Sequence, residues 1–292
     1  MAEVRVGTCS WKYPSWAGLI YSAPQNVNYL AEYATRYNTV EIDQWFWSLF
    51  GPDTVRLPSP SDVQKYRDSV PDDFRFTVKA PNSISLTHFY RKGKSGPLTP
   101  NPYFLSPALC RAFLDAIAPL RPHLGPVMFQ FEYLNKQKMG SQRQFLDHLD
   151  TFIQKLPTDS VPFALEIRNG NYLNQEFFDF CAKTSISPVL IQGYWMPPAA
   201  AVYDQWQSLI TQHDTVVIRL LGSDREGMEK ATNKLWNKIV APKDSELQEI
   251  ARLVRDLNSL GINVYLNINN HYEGSAPLTI ERIRPLIQDA IQ

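Results

Sequence analysis

The sequence predicts a single (β/α)8 barrel of the TIM type, and three observations carry that prediction. Eight short apolar segments alternate with segments of helical spacing or helix length, a pattern typical of a parallel α/β sheet. Eight such units in 292 residues fit a closed barrel better than an open sheet. The alternative, a doubly wound open sheet, lacks its GxGxxG fingerprint after the first strand. We therefore expect one barrel domain over residues 1–292.

Each predicted strand is an apolar run that ends at a turn signal. In the fifth, Phe163, Leu165 and Ile167 alternate with other residues until Asn169-Gly170-Asn171 stops the run. In chain order, the predicted strands are 4–10, 39–43, 74–80, 125–131, a strand within 162–172, 188–192, 215–221 and 262–269.

Helical spacing predicts a helix in most of the connections. The helix at 107–120 begins with a proline in its first turn, and the helix at 141–156 has a clear apolar face. The predicted helices are 29–37, 61–69, 107–120, 141–156, 175–184, 202–211, 245–260 and 279–291. Residues 82–106, rich in Ser, Pro, Gly and basic residues, predict a long excursion with loop character after the third strand.

Composition argues against several classes of protein. The 29 basic and 29 acidic residues cancel, so no global charge favours nucleic acid or a membrane surface. No apolar run approaches the ~20 residues that span a bilayer, and the first residues do not resemble a secretion leader. Three cysteines without ligand-like spacing argue against a disulfide framework. We expect a cytoplasmic protein without a membrane partner; the oligomeric state stays open.

Polar residues end most of the predicted strands, where a barrel places its functional groups. On the presumed inward positions, seven strands contribute Glu41, Asp43, Lys79, Gln130, Glu166, Arg168, Gln192, Arg219, Asn267 and Asn269, while the parity of the first strand is ambiguous. Structural ion pairs such as Glu166–Arg168 or Glu41–Arg219 explain any single member equally well. Burying so many ionisable groups for structure alone would cost several kcal/mol per ion, so we interpret the set as a binding site.

The residue types suggest roles in that site. Lys79, Arg168 and Arg219 can hold an anion, and arginine would grip carboxylate or phosphate through two hydrogen bonds. Glu41 or Glu166 is the candidate general base. Lys79, with apolar neighbours, is a candidate acid or nucleophile with a lowered pKa.

Other polar residues complete the predicted substrate contacts. They are Asp43, Gln130, Asn267 and Asn269. No motif requires a cofactor, although one Mg²⁺ or Mn²⁺ on Glu41, Asp43 and Glu166 is possible.

Aromatic residues crowd the turns after strands one, two and six. They are Trp11, Trp16, Trp45, Trp47, Tyr194 and Trp195. Exposed rings beside amides and charges suit sugars or nucleobases, and Trp11 is a candidate contact of this kind. We expect Trp16 and Trp47 instead to pack loops onto the barrel. The basic residues Arg91, Lys92 and Lys94 are interpreted as a solvated loop, with an anion-binding lid as the alternative.

Several chemistries are disfavoured. Familiar barrel glycosidases place their carboxyl pair after strands four and seven, and strand seven here ends in Arg219. A multi-metal site wants more histidines than the five present, of which only His88 and His271 could reach the mouth. Cys9 has no histidine near it in sequence and is expected to be a packed thiol. Neither a P-loop nor GxSxG is found in the sequence.

Seven blocks of sequence together resemble one known family. They are GTCSWKYPSWAG (7–18), NTVEID (38–43), FRFTVKAP (74–81), GPVMFQF (125–131), ALEIRN (164–169), VIRLLG (217–222) and VYLNINN (264–270). Their order over nearly the whole chain is similar to the YecE-like family of proteins of unknown function. The resemblance implies a TIM-like barrel and no established reaction. Its matching polar positions are Glu41, Lys79, Gln130, Glu166, Arg168, Arg219, Asn269 and Asn270.

Two positions depart from the pattern of that family. Asp43-Gln44-Trp45 stands where the family commonly has Asn and small polar residues, and Leu221-Gly222 stands where it commonly has His-Gly. The missing histidine weakens an acid–base or metal role there, and Asp43 with Trp45 suggests a subgroup with a different ligand.

Three functions stay open at the level of sequence. The first is an enzyme of hydrolase, lyase or isomerase type that acts on a small anionic sugar-like or nucleotide-like molecule. The second is a nucleic-acid binding or nuclease-like protein, which the neutral charge disfavours. The third is a non-catalytic ligand-binding or interaction module.

Overall fold

A closed barrel of eight parallel strands forms the centre of the protein, and a computed structural model describes residues 2–51, 54–90 and 97–290. The barrel strands are β1 (Val4–Thr8), β2 (Thr39–Ile42), β5 (Arg75–Lys79), β6 (Leu124–Gln130), β7 (Phe163–Glu166), β8 (Ser187–Gly193), β9 (Thr215–Gly222) and β10 (Asn263–Ile268). Each pairs with its neighbours in sequence, and β10 closes the ring onto β1. The predicted (β/α)8 barrel is confirmed.

Helices connect the strands. They are α1 (Tyr29–Ala34), α2 (Pro60–Arg67), α3 (Asn82–Ser85), α4 (Pro107–Ala116), α5 (Gln142–Ile153), α6 (Gln175–Thr184), α7 (Ala199–Ile210), α8 (Arg225–Thr232), α9 (Asp244–Ser259) and α10 (Ala276–Ile283). Side chains cap several N-termini; Ser141, for example, accepts a hydrogen bond from the third residue of α5. Within the described ranges, no helix is long and apolar enough to cross a membrane.

Two local elements differ from the sequence prediction. The turn after β2 continues into an antiparallel hairpin, β3 (Leu49–Gly51) and β4 (Thr54–Val55). Helix α8 was not predicted because its sequence, REGMEKAT, buries only Thr232 and carries no apolar face to detect. The side chain of Asp224 holds its start by accepting from the backbone of Gly227.

The excursion after β5 contains short structure at both ends of its described part. Helix α3 follows Pro81 directly, and His88 pairs with Pro100 through an isolated bridge. The predicted basic segment of Arg91, Lys92 and Lys94 lies outside the described residues.

The barrel interior divides into two halves. One half is an apolar cluster that consists of Cys9, Met128, Ala164, Val189, Ile191, Val217 and Leu221. Polar and charged side chains from β2, β5, β6, β7, β9 and β10 fill the other half. Cys9 in this cluster shows that the odd-numbered residues of β1 face inward, which resolves the parity that the sequence left ambiguous.

Glycine permits the tightest strand contact of the barrel. A Cβ at Gly7 would lie 2.1 Å from the backbone oxygen of Thr39 on β2. That spacing is too short for any side chain, so β1 can approach β2 only with glycine there.

Candidate functional site

Arg219 is the hub of the polar half of the barrel. Its guanidinium donates to both carboxylate oxygens of Glu41, at 2.8 and 2.7 Å. It also donates to Glu166 and, at 3.3 Å, to the side-chain oxygen of Gln130. The side chain of Arg219 is only 4% exposed, and those of Glu41 and Glu166 are fully buried. One cation thus ties together β2, β6, β7 and β9.

A second layer supports this hub from below. The amide nitrogen of Asn267 donates to Thr77 at 2.9 Å and to Glu41 at 3.3 Å. We call the set of Glu41, Thr77, Gln130, Glu166, Arg219 and Asn267 the lumen network. Its members mostly satisfy one another, as buried polar groups must if they are not to cost stability.

The two guanidinium groups fix the charge state of Glu166. Burial by itself raises the pKa of this carboxyl, but Arg168 and Arg219 outweigh burial and lower the pKa to about 2. Arg168 lies 2.5 Å from Glu166 and stacks over the ring of Tyr194 at 4.5 Å. Glu166 is therefore a permanent carboxylate near neutral pH and a poor proton acceptor.

Asp43 has the opposite electrostatics. It lies two residues beyond Glu41, at the mouth, and is half-buried. Burial first and the Glu41 carboxylate second raise the pKa of Asp43 to about 6. A carboxyl that exchanges its proton near neutral pH is what general acid–base chemistry needs.

Lys79 ends β5 beside these carboxyls. Its ammonium lies 3.9 Å from the centre of the Phe46 ring, and among the described residues it has no carboxylate within the 4.0 Å of an ion pair. Burial and the neighbouring Arg219 lower the pKa of Lys79. The most weakly compensated cation of the mouth is therefore also the one that loses its proton most easily.

A cavity of about 620 Å³ opens beside the lumen network at the ends of β6, β7 and β8. Its lining residues are Gln130, Phe131, Glu132, Tyr133, Arg168, Gly170, Tyr194, Trp195 and Met196. We call Tyr133, Arg168, Tyr194 and Trp195 the rim; the indole of Trp195 is 93% exposed. The volume suits a ligand of drug or metabolite size.

Two glycines shape this rim. A Cβ at Gly193 would lie 2.4 Å from the backbone oxygen of Gly222, and both glycines have positive φ, of 133° and 77°. The close approach lets the backbone of Tyr194 donate to Gly222 at 2.8 Å. Tyr194 itself takes a left-handed φ of 53°, which is strained for a non-glycine residue. This turn carries the ring of Tyr194 that stacks on Arg168.

Two residues predicted for the site, Trp11 and Gln192, are engaged by other parts of the structure. Trp11 is 1% exposed and packs edge-on against Tyr66, so its ring has no free face for a ligand. Gln192 lies on the outward side of β8, where it donates to Glu246 and accepts from the backbone of Ala199. The inward positions of β8 are instead the apolar Val189 and Ile191.

The two asparagines after β10 have structural contacts of their own. Asn270 is buried and accepts from the backbone of Ala276 at the start of α10. Asn269 is half-buried and contacts His271, whose other ring nitrogen lies 3.2 Å from Glu229. These contacts shape the last loop.

The carboxyl groups that could have held a metal ion have other partners in the structure. Within the described part of the chain, no group of three or more His, Cys, Asp and Glu residues is arranged to hold a metal ion, and Glu41 and Glu166 are occupied by arginine.

Trp16 is fully buried, as expected for a packing residue. Trp47 is not, because 58% of it is exposed.

Sequence reasoning missed two aromatic contacts of the site. Phe46 lies under Lys79. It was missed because it stands between two tryptophans, which were the aromatic residues considered in that run. Tyr133 follows the end of β6 by three residues, and no pattern of charged residues marks it in the sequence. Its place on the rim depends on how the loop after β6 returns.

Known proteins resemble this chain along its length. The profile of the family described as "Protein of unknown function DUF72" matches residues 5–292. The chain belongs to this family. The UPF0759 protein YecE of Escherichia coli K12 is 26% identical to this chain over 147 residues, which cover 50% of this chain and 44% of YecE. The chain therefore matches less than half the length of that curated relative.

Two solved structures of DUF72 proteins have the same fold. The protein EF0366 from Enterococcus faecalis is 18% identical with a TM-score of 0.68, and the match covers 99% of this chain and 98% of that one. The protein TM1631 from Thermotoga maritima is 20% identical with a TM-score of 0.68, over 98% and 99% of the two chains. At such identities the DUF72 structures show the barrel alone.

A second cavity, of about 660 Å³, lies at the opposite end of the barrel. It is lined by the starts of strands and by the C-terminal turns, with Val4, Asn38, Asp73 and Arg284 among its residues. This is the end of a TIM barrel that carries stability rather than catalysis, so the polar mouth is the candidate active site.

Proposed function

We propose that the mouth of the barrel binds a small anionic, sugar-like or nucleotide-like molecule and acts on it as an enzyme of hydrolase, lyase or isomerase type. The observation that carries this proposal is the cavity beside the lumen network, with Arg168 and Gln130 in its wall. Both side chains are already oriented, by Glu166 and by Arg219. Preorganised polar groups in an otherwise aromatic cavity are typical of ligand sites.

The charges of the mouth favour an anion. Besides the ion pair of Glu132 with Lys138, six acidic and basic side chains of the described residues meet there: the cations Lys79, Arg168 and Arg219 and the carboxyls of Glu41, Asp43 and Glu166. When Asp43 is ionised, the charges of these six groups sum to zero, and when it is protonated they sum to one positive charge. Binding of an anion therefore favours the protonated form of Asp43, which can then act as a general acid.

Asp43 is the proposed proton carrier, in place of the glutamates. Glu41 and Glu166, the candidates from sequence, both hold Arg219, and the lowered pKa of Glu166 keeps that carboxyl charged. In this proposal Arg168 grips the anionic group, the rings of Tyr194 and Trp195 contact the sugar or base, and Asp43 moves the proton.

Thermal-shift screening tests the binding part of this proposal. Purified protein is screened against sugar phosphates, nucleotides, oligonucleotides and divalent metals; a ligand at 100 times its dissociation constant adds about 2.7 kcal/mol of stability. We expect a hit among sugar phosphates or nucleotides that disappears in Arg168→Ala and persists in the control Arg252→Ala, which removes a surface ion pair with Asp204. Binding that survives Arg168→Ala would contradict the proposal.

Turnover separates the enzyme from the other two functions. With the ligand identified, Asp43→Asn is expected to bind it and to lose product formation. Product formation by neither wild type nor variant would favour a non-catalytic sensor. A response limited to oligonucleotides, falling steeply with salt, would favour nucleic-acid binding.

A further inference from the structure

Lys79 is placed differently from every other cation of the mouth. Arg219 and Arg168 occupy the carboxylates of Glu41 and Glu166, so two of the three carboxyls that act on Lys79 are already engaged. What remains under its ammonium is the face of Phe46, at 3.9 Å. An aromatic face holds an amine in place without accepting its proton. The residue is half-buried and not fully enclosed.

Only Lys79 among these cations can become a nucleophile. A guanidinium does not lose its proton in proteins, whereas a lysine amine does so when burial and neighbouring cations disfavour its charge. Burial and Arg219 act on Lys79 in that direction and lower its pKa, against the pull of Glu41, Glu166 and Asp43. A lysine without a fixed carboxylate partner, on an aromatic floor and beside a carboxyl that can exchange a proton, is the arrangement that imine formation needs.

We infer that Lys79 forms an imine with the carbonyl carbon of a small anionic substrate, such as a 2-oxo carboxylate or a phosphorylated sugar in its open-chain form. This inference rests on the proposed function, because Arg168 would hold the anionic group while Lys79 meets the carbonyl. The shared chemistry of the two substrate classes is a ketone or aldehyde close to a negative charge.

The reaction balances with the groups present. The neutral amine of Lys79 attacks the carbonyl carbon, the C=O electron pair moves to oxygen, and that oxygen takes a proton from Asp43. The nitrogen then returns a proton to Asp43. Asp43 next protonates the hydroxyl group, which leaves as water while the nitrogen lone pair forms the C=N bond. Carbonyl compound, neutral amine and protonated Asp43 thus give protonated imine, water and the Asp43 carboxylate, and the proton that stays on nitrogen is one of the two of the attacking amine.

Borohydride trapping tests the inference directly. The protein is incubated with pyruvate, with 2-oxoglutarate, with dihydroxyacetone phosphate or with ribose 5-phosphate, and is then reduced with sodium borohydride. We expect intact-mass spectrometry to show one added reduced substrate, and peptide mapping to place it on Lys79. The oxo acid and sugar phosphate arms identify which class reacts. The adduct should vanish in Lys79→Arg and persist in the control Lys183→Arg, whose lysine lies on the exposed end of α6.

The outcomes separate this inference from the proposed function. No adduct on Lys79 with any of the four compounds, or adducts spread equally over surface lysines, overturns the imine. Thermal shifts that depend on Arg168 would still support anion binding in that case. Because peptide mapping of the wild-type protein locates the adduct, the test does not depend on whether Lys79→Arg folds.

Discussion

The lumen network and the rim use the same residue type, arginine, in opposite ways. Arg219 in the lumen network is 4% exposed and donates to Glu41, Glu166 and Gln130. Arg168 on the rim is 18% exposed, has one ion pair, and turns its flat face to Tyr194. The buried arginine is fully engaged by its neighbours, whereas the outer one has donors left for a ligand. In this barrel, the depth of an arginine distinguishes structural support from the proposed role in binding.

Asp43 and Lys79 lie between these two groups and share the properties of neither. They are half-buried, yet within the part of the chain that the structure describes neither has a close ion pair that would compensate its charge. Charges kept in this state cost folding stability, and such costs concentrate where function requires them. The comparison therefore predicts that substitutions differ in sign as well as in size along the path from lumen to rim.

Removal of Arg219 is expected to have the largest effect. Arg219→Gln leaves the buried carboxylate of Glu41 without its cation and leaves Glu166 with Arg168 alone, and breaking such a buried pair costs about 3–5 kcal/mol of unfolding free energy. Guanidinium unfolding at pH 7 measures the change, with Arg252→Gln on the helical surface as the control. A loss below about 1 kcal/mol would mean that solvent reaches the lumen and that the contrast with the rim is false.

Substitution of Asp43 is expected to stabilise the protein, and to do so only above acidic pH. Its pKa is about 6 in the folded chain against 3.8 for the free side chain, so the folded state binds more protons in this window. The contribution of Asp43 to wild-type stability consequently falls as pH rises from about 4 to 6. Asp43→Asn removes that loss and should gain about 1–3 kcal/mol at pH 7.5, with little gain at pH 4.5.

Urea unfolding at pH 4.5, 5.5, 6.5 and 7.5 follows this difference. Asp204→Asn, at an exposed carboxyl, serves as the control and should show no comparable rise with pH. A flat difference between Asp43→Asn and wild type would show that Asp43 is fully solvated at the mouth. It would then no longer be the proposed proton carrier.

The sequence predicts the barrel better than it predicts the roles of the residues inside it. Period-2 alternation located Glu41, Lys79, Glu166 and Arg219 on inward positions, since parity depends only on local geometry. It failed at β8, where the short run 188–192 offered no polar residue on the inward side and Gln192 was assigned to the wrong face. The strand is apolar on both faces, so alternation carried no signal there.

The sequence named Glu166–Arg168 and Glu41–Arg219 as candidate structural pairs, and both ion pairs form, but the sequence alone could not decide between a structural and a ligand-binding role. Glu41 and Arg219 are 178 residues apart, and their contact depends on closure of the barrel between β1 and β10. Because both glutamates hold Arg219, the proposal gives the acid–base role to Asp43. Trp11 was misjudged for a related reason, because its neighbour Tyr66 comes from α2 and covers the ring.

Removal of Arg168 is expected to cost little stability and most of the binding. Arg168→Gln leaves Glu166 still paired with Arg219, so we expect a loss of about 1 kcal/mol, well below that of Arg219→Gln. The same variant should abolish the thermal shift from an anionic ligand. Equal stability losses in Arg168→Gln and Arg219→Gln would mean that both arginines support the fold to the same extent, which would contradict the comparison.

Trp195 gives the smallest expected change in stability and the sharpest test of the rim. Its side chain is 93% exposed and its main ring contact is Tyr194, with centroids 6.4 Å apart, so Trp195→Ala should alter unfolding by no more than about 0.5 kcal/mol. If a base or sugar stacks on it, the dissociation constant should rise about 5- to 150-fold, since stacking contributes about 1–3 kcal/mol. Leu260→Ala, at an exposed residue after α9, is the matched control. Titration calorimetry of both variants decides the question, because unchanged affinity in Trp195→Ala would place the ligand deeper, against Lys79 and Asp43, and not on the rim.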